Sequence, residues 1–425
     1  MNSVILREEL LSKIGEIERA DILVGIPSYN NARTIAHVVR AVQTGFAKYF
    51  PDMKCVLVNS DGGSTDGTMD IVQSTTIDDL HAILLQHRIR PVFKITTPYH
   101  GVPGKGSAFR TIFEIASALD AKACAVVDSD LRSITPEWVE LLLKPVIDHG
   151  YDYVAPLYQR HKYDGTITNS IVYPITRALY GMRVRQPIGG DFGFSGGLAK
   201  HYLTKDVWET DVARYGIDIW MTTTAIADGF RICQSFLGAK IHDAKDPGAD
   251  LSAMLHQVVG AAFNLMETYP DIWKKTEGSA ATPVFGFTYA VGLEPVAVNL
   301  DRMLDRFRLG VKDLMDVWNL FLPKEITAFL QHAAAAEKEQ FHIPDDVWAE
   351  TIYWFATAAH RRTLNREHLL KSLTPLYIGR TASFVMEARD SDGEDVEAKI
   401  EGLCRQFEKK KTVLKEHWDT RGGAA

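Results

Sequence analysis

Over roughly the first third of the chain, short apolar runs ending at proline, glycine or acidic residues alternate with longer stretches whose apolar side chains recur every three or four positions. Residues 22–26 form one such run and stop at Pro27, and residues 31–50 carry Ile35, Val38, Val39, Val42 and Phe46 at helical spacing. Residues 55–58 and 92–95 read as two further strands, residues 107–119 as a helix through Ile112, Ile115 and Leu119, and residues 123–127 as a fourth, buried strand. Strands alternating with helices predict an α/β fold: a Rossmann-like, mostly parallel sheet flanked by helices, with right-handed crossovers. In such sheets ligands collect beyond the carboxyl ends of the strands.

The pattern then changes. Residues 151–242 are less regular, with glycine-rich turns expected at 189–190 and 193–197, and read as the acceptor half of the same domain. Beyond residue 250 strand signals nearly vanish, and helices are expected over 251–266, 300–320, 345–360 and 396–418, with the alanine run 333–336 also helical. The organisation expected is a sheet domain over 1–250, opened by an amphipathic helix within 1–18, and a helical C-terminal domain over 251–425. The latter packs on the sheet domain or forms the interface of a homodimer.

Composition narrows the function classes. At 46% hydrophobic and 24% charged residues the chain is an ordinary globular protein. Its formal net charge of -7 argues against a general nucleic-acid binder, which needs a positive field. Four widely spaced cysteines fit neither a zinc motif nor a disulfide scaffold, so the cytoplasm is the expected compartment. No segment approaches the roughly 20 apolar residues of a membrane span.

The chemistry-bearing residues follow the strands. Asp128-Ser129-Asp130 ends the fourth; two carboxylates at a strand mouth can bind a hard divalent cation, and the backbone of Ser129 can approach a diphosphate. One aspartate can ligate the metal while the other ligates it or holds a sugar or ribose hydroxyl; Asp130 or Ser133 could instead simply cap a helix. Asp61, in the turn-forming run from Asn59 to Gly67, is placed to accept hydrogen bonds from a base or ribose. Lys105 lies between Gly104 and Gly106 in a loop that fails the P-loop pattern, yet the glycines would let the lysine and a helix N-terminus approach a phosphate. His242, after an apolar strand, is either a core histidine or an imidazole completing an octahedral Mg2+ or Mn2+ shell, with Asp218 behind it or in the pocket.

Taken together, Ile26-Pro27-Ser28-Tyr29-Asn30, Ser60 to Gly67, Gly104-Lys105-Gly106, Val127 to Arg132, Gln186 to Asp191, Gly216-Ile217-Asp218 and His242 resemble the GT-A nucleotide-sugar glycosyltransferases. They resemble in particular the retaining glucosyl-phosphoglycerate and mannosylglycerate synthases. The resemblance implies that Pro27, Tyr29, Asp61 and Lys105 line the nucleotide and diphosphate site, that Asp128 sits on the donor with Ser129, and that Asp130 and His242 bind the metal. It implies catalytic roles for Lys105, Asp128 and Asp218. Acceptor contacts are implied for Arg160, Asp164 and Thr168, with Gly189 and Gly190. Phosphoglycerate-using relatives carry an arginine where this chain has Thr166, which points to unphosphorylated glycerate. The partners implied are an NDP-sugar carrying glucose or mannose on uridine or guanosine and a glycerate-type acceptor. Competing readings are a 3-phosphoglycerate acceptor, a polyprenyl-phosphate sugar transferase and a non-catalytic sugar-nucleotide sensor.

Overall fold

The computed structural model describes residues 8–76, 92–241, 251–289 and 291–419. They fall into two compact units: Met1–Gln159, Ile188–Asp243 and Thr282–Leu293 in one, Arg160–Pro187, Ala244–Ala281 and Glu294–Ala425 in the other. A division at residue 250 would leave 160–187 with the sheet, but those residues group with the helical unit, and 282–293 returns to the sheet.

The strands in chain order are β1 (Ile22–Ser28), β2 (Cys55–Asp61), β3 (Phe93–Pro98), β4 (Ala123–Val126), β5 (Tyr153–Gln159), β6 (Met182–Arg183), β7 (Phe192–Ser195), β8 (Ile232–Ala239), β9 (Ala280–Ala281) and β10 (Val284–Phe285). Eight of them build the sheet of the first unit in the order β10-β8-β5-β7-β4-β1-β2-β3, while β6 and β9 pair separately in the second unit. Neighbours run parallel except β7, which is antiparallel to both β4 and β5. This is the mostly parallel α/β sheet expected. The register aligns the strand ends, with Ser28 opposite Asp61 and Gly25 opposite Val126.

Helices α1 (Glu8–Ile17), α2 (Ile35–Tyr49), α3 (Thr68–Ser74), α4 (Lys105–Ala118), α5 (Pro136–His149), α7 (Gly196–Leu203) and α8 (Ile217–Ala227) belong to this unit. On one face Ile22, Val24, Ile26, Leu57 and Ala125 bury against Val38, Val39, Val42 and Phe46 of α2 and Val139, Leu142 and Leu143 of α5. On the other, α4 comes so close that a Cβ on Gly25 would lie 2.6 Å from Ile112. The glycines at 193–197 are not a turn. Gly193 lies inside β7, where a Cβ would meet the Leu142 carbonyl at 2.0 Å, and Gly196 opens α7. Close approach of α5, not chain reversal, accounts for the glycine at 193.

The second unit holds α6 (Tyr173–Tyr180), α9 (Ser252–Thr268), α10 (Pro270–Trp273), α11 (Leu300–Trp318), α12 (Lys324–Ala335), α13 (Asp345–His360), α14 (Arg366–Glu387) and α15 (Gly393–Trp418). Every residue of α6 is buried. Its Arg177 donates to Glu408 at 2.8 Å and pairs with Glu401, both on α15, and Lys411 of α15 donates to the Ala178 and Thr276 carbonyls at 3.0 and 2.8 Å. No helix among the described residues is long and apolar enough to cross a membrane.

Candidate active site

The polar residues of the first unit gather where β1, β2, β4, β5 and β8 end and where the antiparallel β7 begins. Because β7 runs the opposite way, its N-terminal flank, Gly189-Gly190-Asp191, meets the C-terminal flank of β4, and the Asp128 N–H donates to Asp191 Oδ1 at 2.7 Å. Lys240, just past β8, reaches the same point.

The result is a cluster of two lysines and three aspartates. Lys240 Nζ lies 2.7 Å from Asp128 Oδ2, 2.7 Å from Asp191 Oδ2 and 2.8 Å from the Gly189 carbonyl. Lys105 Nζ lies 2.9 Å from Asp128 Oδ1 and 3.3 Å from each Asp218 oxygen. The Tyr158 hydroxyl donates to Asp191 Oδ2. Burial alone would raise the Asp128 pKa, but Lys105 and Lys240 hold its carboxyl well below the usual range. Burial would likewise lower Lys105, yet Asp128 and Asp218 keep it above its ordinary value. Desolvation pushes Asp191 and Asp218 upward, against the pull of Lys240 on the first and Lys105 on the second.

Local backbone explains why these groups meet. Gly104 and Gly106 flank Lys105 because the start of α4 lies against the segment before α8: a Cβ on Gly106 would fall 1.8 Å from the Val212 carbonyl and one on Gly104 2.5 Å from that of Ala213. The Gly106 N–H donates to the Arg214 carbonyl at 3.2 Å, which carries Lys105 to Asp218 in the first turn of α8. Gly190 has φ +89°, and a Cβ there would lie 2.2 Å from Asp128 Oδ2 and 2.9 Å from Lys240 Nζ. Gly189 and Gly190, expected at the acceptor, thus form the backbone wall of the ion cluster.

The other expected residues take these places. Pro27 is a buried residue of β1, and Tyr29 projects from its end, 63% exposed. Asp61 is buried and accepts from the Gly63 and Ser64 N–H groups at 2.9 and 2.7 Å and from the Ser28 and Ser64 hydroxyls at 2.6 and 2.7 Å. These bonds fill the roughly four lone-pair sites of a carboxylate, so in this state Asp61 organises the turn after β2. The Ser129 hydroxyl donates to Asn31 Oδ1 and its carbonyl accepts from Thr34, both at 2.8 Å, which ties the end of β4 to the loop after β1.

Asp130 is half-buried, and its carboxylate has no hydrogen-bond or ion-pair partner among the described residues. His242 lies outside the described residues. Among the described residues no three His, Cys, Asp or Glu side chains converge as a complete metal site.

Arg160, Asp164 and Thr168 belong to the second unit and gather round one turn. Arg160 Nη1 lies 3.6 Å from Asp164 Oδ2, and a Cβ on Gly165 would meet Arg160 at 3.6 Å and the Thr168 hydroxyl at 4.0 Å. Thr166 is buried and its hydroxyl is 2.5 Å from that of Tyr377.

Lys240, Asp191 and Tyr158 were not foreseen as site residues. The sequence offers only an indirect cue: Asp191 closes the run Gln186 to Asp191 and Lys240 stands two positions before His242, both in segments read for other residues.

Residues 23–207 match the family described as Glycosyl transferase family 2. No curated protein matches the chain. Among solved structures, glucosyl-3-phosphoglycerate synthase from Mycobacterium tuberculosis in complex with Mn2+, UDP-glucose and phosphoglyceric acid is 22% identical, with a TM-score of 0.43, over 60% of this chain and 84% of that one. The same enzyme with Mg2+ and UDP is 22% identical, with a TM-score of 0.42, over 59% and 83%. With Mn2+, UDP and glucosyl-3-phosphoglycerate it is 23% identical, with a TM-score of 0.42, over 59% and 83%. The family match runs from β1 through β7 and takes in Lys105, Asp128 and Asp191 at the sheet's ligand-binding edge, so residues 23–207 are similar to a glycosyl transferase family 2 domain and carry the mostly parallel sheet of a GT-A fold.

Proposed function

We propose that the chain is a metal-dependent, retaining transferase that moves glucose or mannose from an NDP-sugar to D-glycerate. The observation that carries this reading is a buried lysine–aspartate cluster at the sheet's C-terminal edge, two positions along the chain from Asp130, whose carboxylate has no partner among the described residues. A lysine held between aspartates can meet an anionic leaving group, and a free carboxylate suits a hard cation.

The donor set fits Mg2+ or Mn2+ in kind. Asp130 would hold the ion with His242, and diphosphate oxygens would complete the shell, since Asp128 is committed to its two lysines. When bound, such an ion supplies Lewis-acid stabilisation of the departing diphosphate. The protein's own share falls to Lys105, which would turn to the diphosphate as charge develops there, and to Asp218, whose buried carboxylate would then accept a hydrogen bond from a sugar or acceptor hydroxyl. Pro27 and Tyr29 are proposed to flank the nucleotide, with Asp61 holding the turn that faces it.

Glycerate is favoured over 3-phosphoglycerate by Thr166, an uncharged side chain engaged with Tyr377 where a phosphate would call for a cation. Arg160, with Asp164 and Thr168, is proposed to take the carboxylate and hydroxyls of the acceptor. The four described cysteines are all buried free thiols, in keeping with a proposed reducing, cytoplasmic setting.

The test is a matrix of UDP- and GDP-linked glucose and mannose against glycerate and 3-phosphoglycerate, in Mg2+, Mn2+ or EDTA, read by mass spectrometry. The expected product is a hexosyl-glycerate formed only with metal, and Asp130→Ala should lower turnover roughly 100-fold or more. Full activity in EDTA removes the metal assignment, and a preference for 3-phosphoglycerate removes the acceptor assignment.

A further inference from the structure

Two ammonium groups serve the Asp128 carboxylate, and they are held very differently. The Lys240 side chain is 4% exposed and has three short contacts, one for each of its N–H donors, at 2.7, 2.7 and 2.8 Å. Lys105 is 17% exposed, touches Asp128 at 2.9 Å, and stands 3.3 Å from both oxygens of Asp218, beyond the usual reach of a charge-assisted bond. Asp218 Oδ1 is buried with no hydrogen bond of good geometry. One lysine is held by three short contacts, and the other by one short contact, to Asp128, and two long ones beside solvent.

Charge balance gives this asymmetry a consequence. If Lys105 turned toward an anionic ligand and no other cation faced Asp128, a buried carboxylate would be stranded, at a cost that would cancel what the ligand gains. Lys240 faces the opposite oxygen of that carboxylate, and Asp191, fully buried, with the Gly189 carbonyl keeps it there.

We propose that Lys240 is a positioning residue, the permanent counter-ion of Asp128, and that its presence frees Lys105 to leave Asp128 for the diphosphate of the donor. This rests on the reading of the site as one for a nucleoside-diphosphate sugar. Lys240 acts through Asp128 and never touches the ligand, so its effect on diphosphate binding falls away once residue 128 is uncharged, whereas its pairing with Asp191, which also accepts from the Tyr158 hydroxyl and the residue 128 N–H, bears on folding in both backgrounds.

Binding of UDP and GDP, measured by calorimetry in Mg2+, tests this in four proteins: wild type, Lys240→Met, Asp128→Asn and the double variant. The double variant loses one positive and one negative charge, so the cluster keeps its formal charge, and the Tyr158 hydroxyl and the residue 128 N–H still serve Asp191. Lys240→Met should weaken binding of the preferred nucleotide about tenfold or more in the wild-type background and less than about threefold in the Asp128→Asn background. Donor KM should rise in the single variant and return toward the Asp128→Asn value in the double variant. Should Lys240→Met not fold, equal affinities of Asp128→Asn and the double variant carry the same support, and a further tenfold loss in the double variant overturns the proposal. Equal losses in both backgrounds, or unchanged binding in Lys240→Met, overturn it as well. Failure of the wild type to bind either nucleotide overturns the functional reading and this proposal with it.

Discussion

Gly190 shows how one missing side chain can decide a site. Its φ of +89° suits glycine, and a Cβ would sit 2.2 Å from Asp128 Oδ2 and 2.9 Å from Lys240 Nζ. Gly190→Ala must therefore push the carboxylate off its lysines or distort the turn. The expected outcome is a loss of about 100-fold in kcat/KM and roughly 1 to 3 kcal/mol of stability from strain and overpacking. Steady-state kinetics beside urea unfolding would check it, and a variant with wild-type kcat/KM would refute the close fit. At this scale the sequence was legible in part. Asp128, Lys105 and Asp218 could be read from their motifs, and they meet. Asp191 and Lys240 could not, because their partner Asp128 lies 63 and 112 residues away and only the antiparallel entry of β7 brings the three together. A lysine after a strand otherwise reads as a solvated residue.

Among elements, legibility follows exposure. Helices α2, α4, α11 and α13 set a buried face against a more exposed one, the wholly buried strands β1, β2 and β4 are short apolar runs bounded by turns, and all lie close to where the pattern places them. Helix α14 does not stand out, since thirteen of its residues are buried, among them Arg380 and Thr381, and burial all round erases the 3.6-residue signal. It packs on α11 through small residues: Cβ atoms on Gly310 and Gly379 would lie 2.2 Å from Pro375 and 2.4 Å from Phe307. Helix α15 carries a buried cation, Lys411, whose pKa burial lowers to about 8. Between about pH 8 and pH 10.5 the folded chain thus holds fewer protons at this site than the unfolded chain, and the contribution of Lys411 to stability rises with pH through that window. Its full span is about 3 kcal/mol at most. Buried thiols titrate in the opposite sense, with Cys404 pushed up to about 12, so the test is the difference between wild type and Lys411→Met. Denaturant unfolding at pH 7 and pH 10 should show wild type gaining on the variant as pH rises, even though the variant forfeits bonds to the Ala178 and Thr276 carbonyls at both. A difference independent of pH would show that Lys411 is not charged at a cost.

At the scale of the whole molecule, the chain leaves its sheet unit at Arg160, contributes a buried helix to the helical unit, and comes back at Ile188. Composition gives no warning of this, because α6 is short and apolar and reads equally well as part of either unit; its assignment depends on Arg177 finding Glu401 and Glu408 more than two hundred residues on. The sheet also regains its edge strand β10 only from residues 284–285. A fragment ending at residue 250 should therefore behave as an unfinished protein and not as an independent catalytic domain. It would expose Tyr173, Ile175, Ala178 and Leu179, all buried in the complete chain, and it would strand Arg177, whose side chain is 3% exposed, without either acidic partner. Unpartnered buried charge and a bare apolar helix both favour aggregation over cooperative folding. The expected behaviour is strong binding of a hydrophobic dye and a broad, low-amplitude melt for fragment 1–250. Co-expression with 251–425 should restore a soluble complex, because the missing contacts come from α15 and not from a covalent link at residue 250. A monomeric fragment that unfolds in one sharp transition and binds no dye would mean that 160–187 folds onto the sheet without its helical partners, and that the interleaving of the two units is not what holds α6 in place.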